Sequence, residues 1–258
     1  MTLMAAQDWW SLFTAALGGG AALKLFEIAH QEYKSWKERR DDHSRTVDQS
    51  LEPLLRAADE LVGKLRSLAE QDYIPIQDAD TASLADASFA SVVYLFVQFW
   101  SEVEIIRFHG LSATIAKTPR GKQTQAFLTC LESRRVRLID RISQRALGET
   151  ASLNGRTMNF IEFVRSFETD AYTKRWSQPL LAVLGDLRNM DQRQKLLQYT
   201  VVLHALIDTL DRQHLVTRNR PATPNKLNRK SKRELTYRVF GVYLTFVRDR
   251  SKYIGPLK

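Results

Sequence analysis

Apolar residues recur along most of this chain at intervals of three and four positions, which is the spacing of one face of an α-helix. The clearest case follows Pro53, where the apolar positions are Leu54, Ala58, Leu61, Leu65 and Leu68. No run of alternating apolar and polar residues is long enough to indicate a strand. The pattern predicts an all-α protein, with an N-terminal membrane helix followed by a helical-bundle domain of about six to eight helices.

Capping residues and prolines give the expected bounds of the helices. The segment from Tyr73 to Thr81, which contains Pro75, is the first break in the pattern. After it we predict helices at 84–109, 119–147, 158–167, 179–187, 191–210 and 235–247, and a loop at 148–156. The expected capping residues are Ser83 with Asp86, Thr118 before Pro119, Asp191 with Gln194, and Ser231 with Glu234.

The helix at 84–109 is apolar on nearly every side between residues 89 and 100. A helix that is hydrophobic all round is buried either in protein or in lipid, so a second membrane span is one interpretation. The apolar run is shorter than the roughly 20 residues that a bilayer requires. Gln98 interrupts it, and Glu102, Glu104 and Arg107 follow at once. We therefore expect a central core helix.

The segment 9–29 is the candidate membrane anchor. It carries no charge from residue 9 to 23, and about 21 helical residues reach roughly 31 Å, the thickness of a hydrocarbon core. Interfacial tryptophans, apolar residues and a terminal lysine are typical of a span, and here they are Trp9, Trp10, Phe13, Leu17, Leu23 and Lys24. A soluble or interfacial helix ending in a glycine turn is the alternative. A cleaved signal peptide is disfavoured, because no basic residue precedes the apolar run.

Small residues in the same segment predict self-association of the anchor. They are Ala15, Ala16, Gly18, Gly19, Gly20 and Ala22. Their small-xxx-small spacing allows two helices to approach closely in lipid, where glycine is tolerated better than in water. We therefore expect a homo-oligomer that forms through this helix.

Charges on the two sides of the anchor indicate its orientation. The basic residues that follow it are Lys34, Lys37, Arg39 and Arg40, whereas only Asp8 precedes it. The positive-inside rule then places the N-terminus outside and the body in the cytoplasm, as in a single-pass protein of the inner (plasma) membrane. We divide the chain into an anchor at 1–29, a charged helical stalk at 30–48 and a cytoplasmic helical domain at 49–258. The lone Cys130 fits a reducing compartment.

Most of the formal net charge of +9 comes from one basic window at 218–233. Its seven cations are Arg218, Arg220, Lys226, Arg229, Lys230, Lys232 and Arg233, with no acidic residue among them. Two prolines and the lack of an apolar pattern predict an exposed, mobile loop. The window is suited to anionic lipid headgroups or to the phosphates of nucleic acid. A solvated loop without a ligand is the third possibility.

The sequence contains none of the common catalytic or nucleotide-binding motifs. His204 and Asp208 lie four positions apart, and Asp211 is at the next turn, so these residues could share a helix face. A histidine that a helical neighbour satisfies is nevertheless commoner than a metal or acid–base site. The charged residues after the apolar run at 89–100 similarly indicate an ion-paired helix end. We expect no enzyme, no cofactor, no metal and no catalytic residue.

Two runs, 53–61 (PLLRAADEL) and 100–107 (WSEVEIIR), resemble a loosely defined group of uncharacterised bacterial proteins with a hydrophobic N-terminal helix and a helical cytoplasmic body. The resemblance extends over about residues 9–110 and implies a bacterial membrane protein. It implies no activity and no functional residue.

The expected function is that of a membrane-anchored, non-enzymatic helical protein that self-associates through its N-terminal helix. It would act as a sensor, effector or scaffold at the membrane, for example in bacterial stress or antiviral defence. Its expected partners are membrane lipid, further copies of itself and another protein. The alternative is a nucleic-acid-binding protein that holds phosphates with the basic window and a second group of arginines. That group consists of Arg134, Arg135, Arg137, Arg141 and Arg145.

Overall fold

The computed structural model of the protein describes residues 51–77, 79–81, 83–108, 118–222 and 226–255. These residues lie in one compact unit, Val47–Lys258. They are mostly helical, and the only strands among them form one short hairpin. The predicted all-α fold class is therefore confirmed. The predicted membrane anchor at 1–29 and the stalk at 30–48 lie outside the described residues.

The helices and strands follow one another in a simple order. Helix α1 occupies 51–70, and a 3-10 turn at Ile74–Ile76 leads to α2 at Ala87–Phe108, α3 at Pro119–Leu131 and α4 at Arg141–Thr150. Strands β1 (Ser152–Leu153) and β2 (Arg156–Thr157) precede α5 at Phe160–Thr169, α6 at Ala171–Gly185 and α7 at Met190–Leu210. The last described elements are α8 at Arg229–Arg233, a π-helix at Glu234–Phe240 and α9 at Ser251–Ile254.

The core of the fold is α2, whose apolar side chains are covered on several sides. Phe89 and Phe96 are completely buried, and Trp100 is 1% exposed. The Trp100 indole Nε1 donates a hydrogen bond of 2.9 Å to Tyr199 Oη on α7, so the buried polar group of each ring has a partner. Helix α4 crosses α2 at Gly148, where a Cβ atom would lie 2.7 Å from the Trp100 carbonyl oxygen. Only glycine allows this close approach of two backbones.

The burial of α2 explains its apolar sequence. Among the described residues, α2 is the one helix long and apolar enough, by length and composition, to cross a membrane. Core helices of soluble proteins pass the same test, and 61% of its most apolar window is buried inside the structure. The structure confirms the prediction that this helix packs in the protein core.

The predicted single helix at 119–147 is wrong, because α3 ends at Leu131 and α4 begins at Arg141. Asp140 is the N-cap of α4, and its Oδ1 accepts hydrogen bonds of 3.0 Å from the backbone N–H groups of Ile142 and Ser143. The connecting segment buries Val136 and so has its own place in the core. The arginines at 134–145 therefore do not form one helical face.

Three predicted N-caps are also displaced. The observed caps are Asp86 for α2, Asn189 for α7 and Asn228 for α8, in place of the predicted Ser83, Asp191 and Ser231. In each case a short Asp or Asn side chain within three residues of the predicted cap accepts the first backbone N–H groups. The predicted Thr118 cap before Pro119 is confirmed, since Thr118 Oγ1 accepts from the Gly121 N–H at 3.0 Å.

Three other bounds differ from the prediction. Helix α6 begins at Ala171 and has Pro179 inside it, so the predicted start at 179 is wrong. The predicted loop at 148–156 contains the end of α4 and most of the hairpin. In the hairpin turn, Asn154 and Gly155 have positive φ values of 51° and 77°, which is the pairing that a tight two-residue turn favours. The predicted last helix at 235–247 gives way to turns after Phe240.

Candidate functional site

A strongly basic concave surface runs along α8 and the π-helix, and we call it the basic groove. Its cavity volume is about 860 Å³. The lining residues are Arg229, Lys230, Arg233, Glu234, Tyr237, Arg238 and Val242. Four of these seven side chains are cations and one is a carboxylate.

A buried glutamine on α7 sets the start of α8. Gln194 Nε2 donates to the Lys226 carbonyl at 3.0 Å, and Gln194 Oε1 accepts from the Asn228 N–H at 2.9 Å. Leu227 lies between these two contacts and is 7% exposed. The Asn228 side chain then caps α8 by accepting from the Ser231 N–H at 2.8 Å. The backbone that carries the first cations of the groove is thereby attached to the core.

The π-helix places the remaining residues of the groove. Leu235, Val239 and Phe240 attach its inner side to the core, whereas the Tyr237 ring is 62% exposed. A Cβ atom on Gly241, directly after the π-helix, would lie 2.6 Å from the Tyr237 carbonyl oxygen, so this end of the segment needs glycine. π-helical segments are rare and occur often at functional sites. The π-helix is therefore an independent indication that the groove is a functional site.

The charge of the groove is not cancelled by neighbouring carboxylates. Across the described part of the chain, none of its cations, Arg229, Lys230, Arg233 and Arg238, forms an ion pair. The acid in the lining, Glu234, accepts from Arg135 Nη1 at 3.0 Å. Arg135 thus offsets the one negative charge, and the groove keeps a positive potential that attracts anions.

The predicted basic window is divided between different environments. Arg229, Lys230 and Arg233 line the groove, and Lys232 lies half-buried beside them on α8. The prediction of an exposed loop is wrong for residues 229–233, because they form this helix. Arg218, Arg220 and Lys226 do not line the groove.

Two cations of the window neutralise acids on or near α1. Arg220 Nε and Nη2 bind the two oxygens of Asp59 at 2.8 and 3.0 Å, and this hydrogen bonding raises the pKa of Arg220. Lys226 Nζ lies 2.5 Å from Asp72 Oδ1 and lowers the pKa of that carboxyl. Arg218 lies beside Asp59 in a cavity of about 250 Å³. Arg220 and Lys226 are therefore less available to an external anion than the cations of the groove.

The arginines after α3 also have separate environments. Arg107, Arg141 and Arg145 converge on Glu132, whose side chain is 8% exposed; the distances from Arg141 Nε and Arg145 Nη2 are 3.2 and 3.5 Å. Such a buried carboxylate requires compensating charge. Arg134 and Arg135 are exposed instead, and Arg135 reaches the groove through Glu234. Of the predicted arginine group, Arg135 is thus the member that contacts the segment directly after the basic window.

The acidic end of α2 is an ion-paired helix end, as expected. Arg107 also pairs with Glu104, and burial raises the pKa of Glu104 against the lowering effect of that arginine. Glu102 instead accepts from Thr157 Oγ1 at 2.7 Å, and burial raises its pKa. The two glutamates therefore have different partners, which is not the arrangement of a catalytic carboxylate pair.

His204 and Asp208 do meet, at 3.6 Å between Nε2 and Oδ1, and His214 Nε2 lies 3.7 Å from the same oxygen. Lys252 Nζ and Tyr253 Oη bind the other Asp208 oxygen at 2.5 and 2.8 Å. His204 is 2% exposed, so this cluster joins α7 to α9 in the interior. Among the described residues, no group of three or more His, Cys, Asp or Glu side chains is arranged to hold a metal ion.

Asp211 does not join this cluster, contrary to the predicted shared face. Its carboxylate accepts the backbone N–H groups of Leu215, Val216 and Thr217 at 2.9 to 3.0 Å. These bonds close the loop that follows α7, and those from Val216 and Thr217 lower the pKa of Asp211 against the effect of burial. Cys130 is buried, and burial raises the pKa of its thiol to about 12, so thiolate chemistry is disfavoured at neutral pH.

Tyr237, Arg238 and Val242 are groove residues that the sequence reasoning missed. They lie after the basic window, in a segment whose other residues were expected to pack in the core. Tyr237 and Arg238 fall between the predicted core positions Leu235 and Val239. This spacing was the signal that could have placed both side chains on the opposite, exposed side of the segment.

No protein-family model, no curated protein and no solved structure matches this chain. The resemblance to bacterial membrane proteins stays a prediction. The protein is thus defined by its all-α fold and its basic groove.

Buried His204 predicts that the protein loses stability in mild acid. Burial lowers the pKa of His204, so an unfolded chain, in which histidine has a pKa of about 6.5, binds the proton more readily. The free energy of unfolding should therefore fall as the pH is lowered from about 7 to about 5. Denaturant titrations followed by tryptophan fluorescence should show a smaller fall for His204→Gln. Equal falls in wild type and variant would contradict the assignment.

Proposed function

We propose that this is a membrane-attached, non-enzymatic helical protein whose described domain binds phosphate-bearing polyanions in the basic groove. The observation that carries the proposal is the convergence of four cations without carboxylate partners on one groove, within the described part of the chain. Structural arginines elsewhere in the domain, such as Arg220 and Arg107, have carboxylate partners.

The chemistry of the groove suits phosphate. Three of its four cations are arginines, whose planar fork of N–H donors matches the oxygens of a phosphate group. Arg229 and Arg238 are nine positions apart, which corresponds to roughly 13 Å along a helix. A single small anion would contact part of this length, whereas a polyanion would contact all of it.

The membrane part of the proposal is supported by the sequence of the anchor. The uncharged run from Trp9 to Leu23, with its small residues, suits a span that self-associates. In this proposal the anchor holds copies of the chain together, and the domain receives a polyanionic signal or partner. A sensor, effector or scaffold in a bacterial stress or antiviral response would have this organisation.

Two observations favour a binding role over catalysis. The acid–base candidates His204 and Asp208 have side chains that are 3% and 10% exposed, and Asp208 binds the α9 side chains Lys252 and Tyr253. The cations of the groove surround a tyrosine and an aliphatic side chain, with Glu234 as the acid of the lining. Such a surface offers charge and contact area.

Removing the four groove cations should abolish polyanion binding. We expect the full chain to bind inorganic polyphosphate with an affinity that falls about 50-fold between 50 and 200 mM salt, if about four charges act with a slope near −0.7 each. The variant with Arg229, Lys230, Arg233 and Arg238 changed to glutamine should bind weakly and with little salt dependence. Fluorescence anisotropy with a labelled polyphosphate measures both quantities.

The matched control removes the same number of charges outside the groove. Arg165, Lys174, Arg175 and Lys195 are exposed on α5, α6 and α7, and their change to glutamine should leave most of the binding intact. Equal losses in both variants would mean that net charge, and not the groove, determines binding. The proposed function fails if wild type does not bind polyphosphate at low salt.

A second experiment tests the membrane attachment. Cells should express the full chain and a version that starts at His30, and their membranes should be washed with carbonate and with high salt. We expect the full chain to resist both washes and the truncated chain to be released. Release of the full chain by salt alone would show that attachment is electrostatic and that 9–29 does not span the bilayer.

A further inference from the structure

We infer that the ligand of the basic groove is single-stranded nucleic acid, with Tyr237 stacking on a base. This inference rests on the proposed polyanion binding and adds the class of polyanion. Its basis is the juxtaposition of a mostly exposed aromatic ring with four cations in one groove of about 860 Å³.

Tyr237 is placed as a stacking platform would be. Its ring is 62% exposed, and in the described part of the structure it packs against no other aromatic ring. It lies between Arg233 and Arg238 in the chain and lines the same groove as both. Nonspecific single-strand binding proteins combine these two elements, a basic groove for the backbone and an aromatic ring for the bases.

The requirement for an unpaired base follows from the geometry of stacking. Inside a duplex, both faces of each base are covered by its neighbours, so an aromatic side chain gains access only to bases that are unstacked. A single strand offers those faces while it presents its phosphates to the cations. The groove therefore fits a single strand better than a duplex.

Two further arginines lie close to the groove lining. Arg135 contacts Glu234 on the groove lining, and the exposed Arg134 is its neighbour on the segment that connects α3 to α4. A strand that leaves the groove in this direction would meet further positive charge. A concave basic site with a further exposed cation beside it suits a linear chain of phosphates more than a planar layer of lipid headgroups.

The decisive comparison is between Tyr237→Leu, which keeps an apolar side chain, and Tyr237→Phe, which keeps the ring. Binding of the full chain to fluorescein-labelled oligothymidylate is measured by anisotropy. We expect Tyr237→Phe to bind within about twofold of wild type and Tyr237→Leu to bind about 5- to 160-fold more weakly, the range of one base–aromatic stack. Tyr172→Leu, at a ring that is 67% exposed on α6, is the matched control and should bind as wild type does.

Inorganic polyphosphate separates this inference from the proposed function, because it has phosphates and no bases. Tyr237→Leu should leave polyphosphate binding unchanged while it weakens oligothymidylate binding. Equal oligothymidylate affinities for Tyr237→Leu and wild type would overturn the stacking inference and leave polyanion binding intact. Failure to bind either probe would overturn both.

Vesicles test the competing ligand. The full chain is sedimented with vesicles of phosphatidylcholine alone and with vesicles that also contain phosphatidylglycerol. If wild type, but not the four-glutamine groove variant, prefers the anionic vesicles and oligothymidylate does not bind, the groove recognises lipid and the inference is overturned. Oligothymidylate binding that is stronger than binding to a duplex of the same length supports it.

Discussion

The fold depends on covering α2, a helix of 22 residues that is apolar on nearly every side between residues 89 and 100. Hydrophobic burial can stabilise such a helix only if other elements pack around it, and α4, α5 and the hairpin pack directly against it. Gly148 permits the α4 backbone to approach Trp100, and Tyr199 on α7 accepts the hydrogen bond of the Trp100 indole. The position of α7 is therefore tied to the centre of the core.

The attachment of α7 to the core determines the position of the basic groove. The N-terminal part of α7 carries Gln194, which holds the backbone on both sides of Leu227 and so sets the start of α8. At the other end, the Phe240 and Tyr253 rings stack with their centroids 6.1 Å apart, and Tyr253 binds Asp208 on α7. Both ends of the groove-forming segment are thus connected to one core helix. A charged surface on such a support is preorganised, which lowers the entropic cost of binding.

The helical class could be predicted from the sequence because periodicity is a local signal, and so could the core position of α2 and the Thr118 cap. The break between α3 and α4 was missed because it depends on which of several polar residues becomes a cap, and Asp140 competes there with a continuous helical pattern. The hairpin at Asn154 and Gly155 is only two residues long in each strand, too short for any alternating pattern.

The candidate site could be predicted only in part, because charge pairing is a long-range property. Arg220 and Asp59 are 161 positions apart, and no local feature distinguishes Arg220 from Arg229. The structure shows that the first is neutralised by a carboxylate and the second faces the groove. Tyr237 was missed for a related reason: it lies in a π-helix, whose period differs from the 3.6 residues per turn on which the prediction rested. The function and the membrane anchor remain predictions that rest on composition and pattern.

Hydrogen–deuterium exchange of the full chain, with and without saturating oligothymidylate, is the most direct test of the groove as the binding site. Backbone amides of the α8 and π-helix segment, residues 229–242, should exchange more slowly when the oligonucleotide is bound. Amides of α5 and the first half of α6, on a part of the surface that does not line the groove, should exchange at the same rate in both samples. Protection on α5 and α6 without protection at 229–242 would contradict the assignment of the groove.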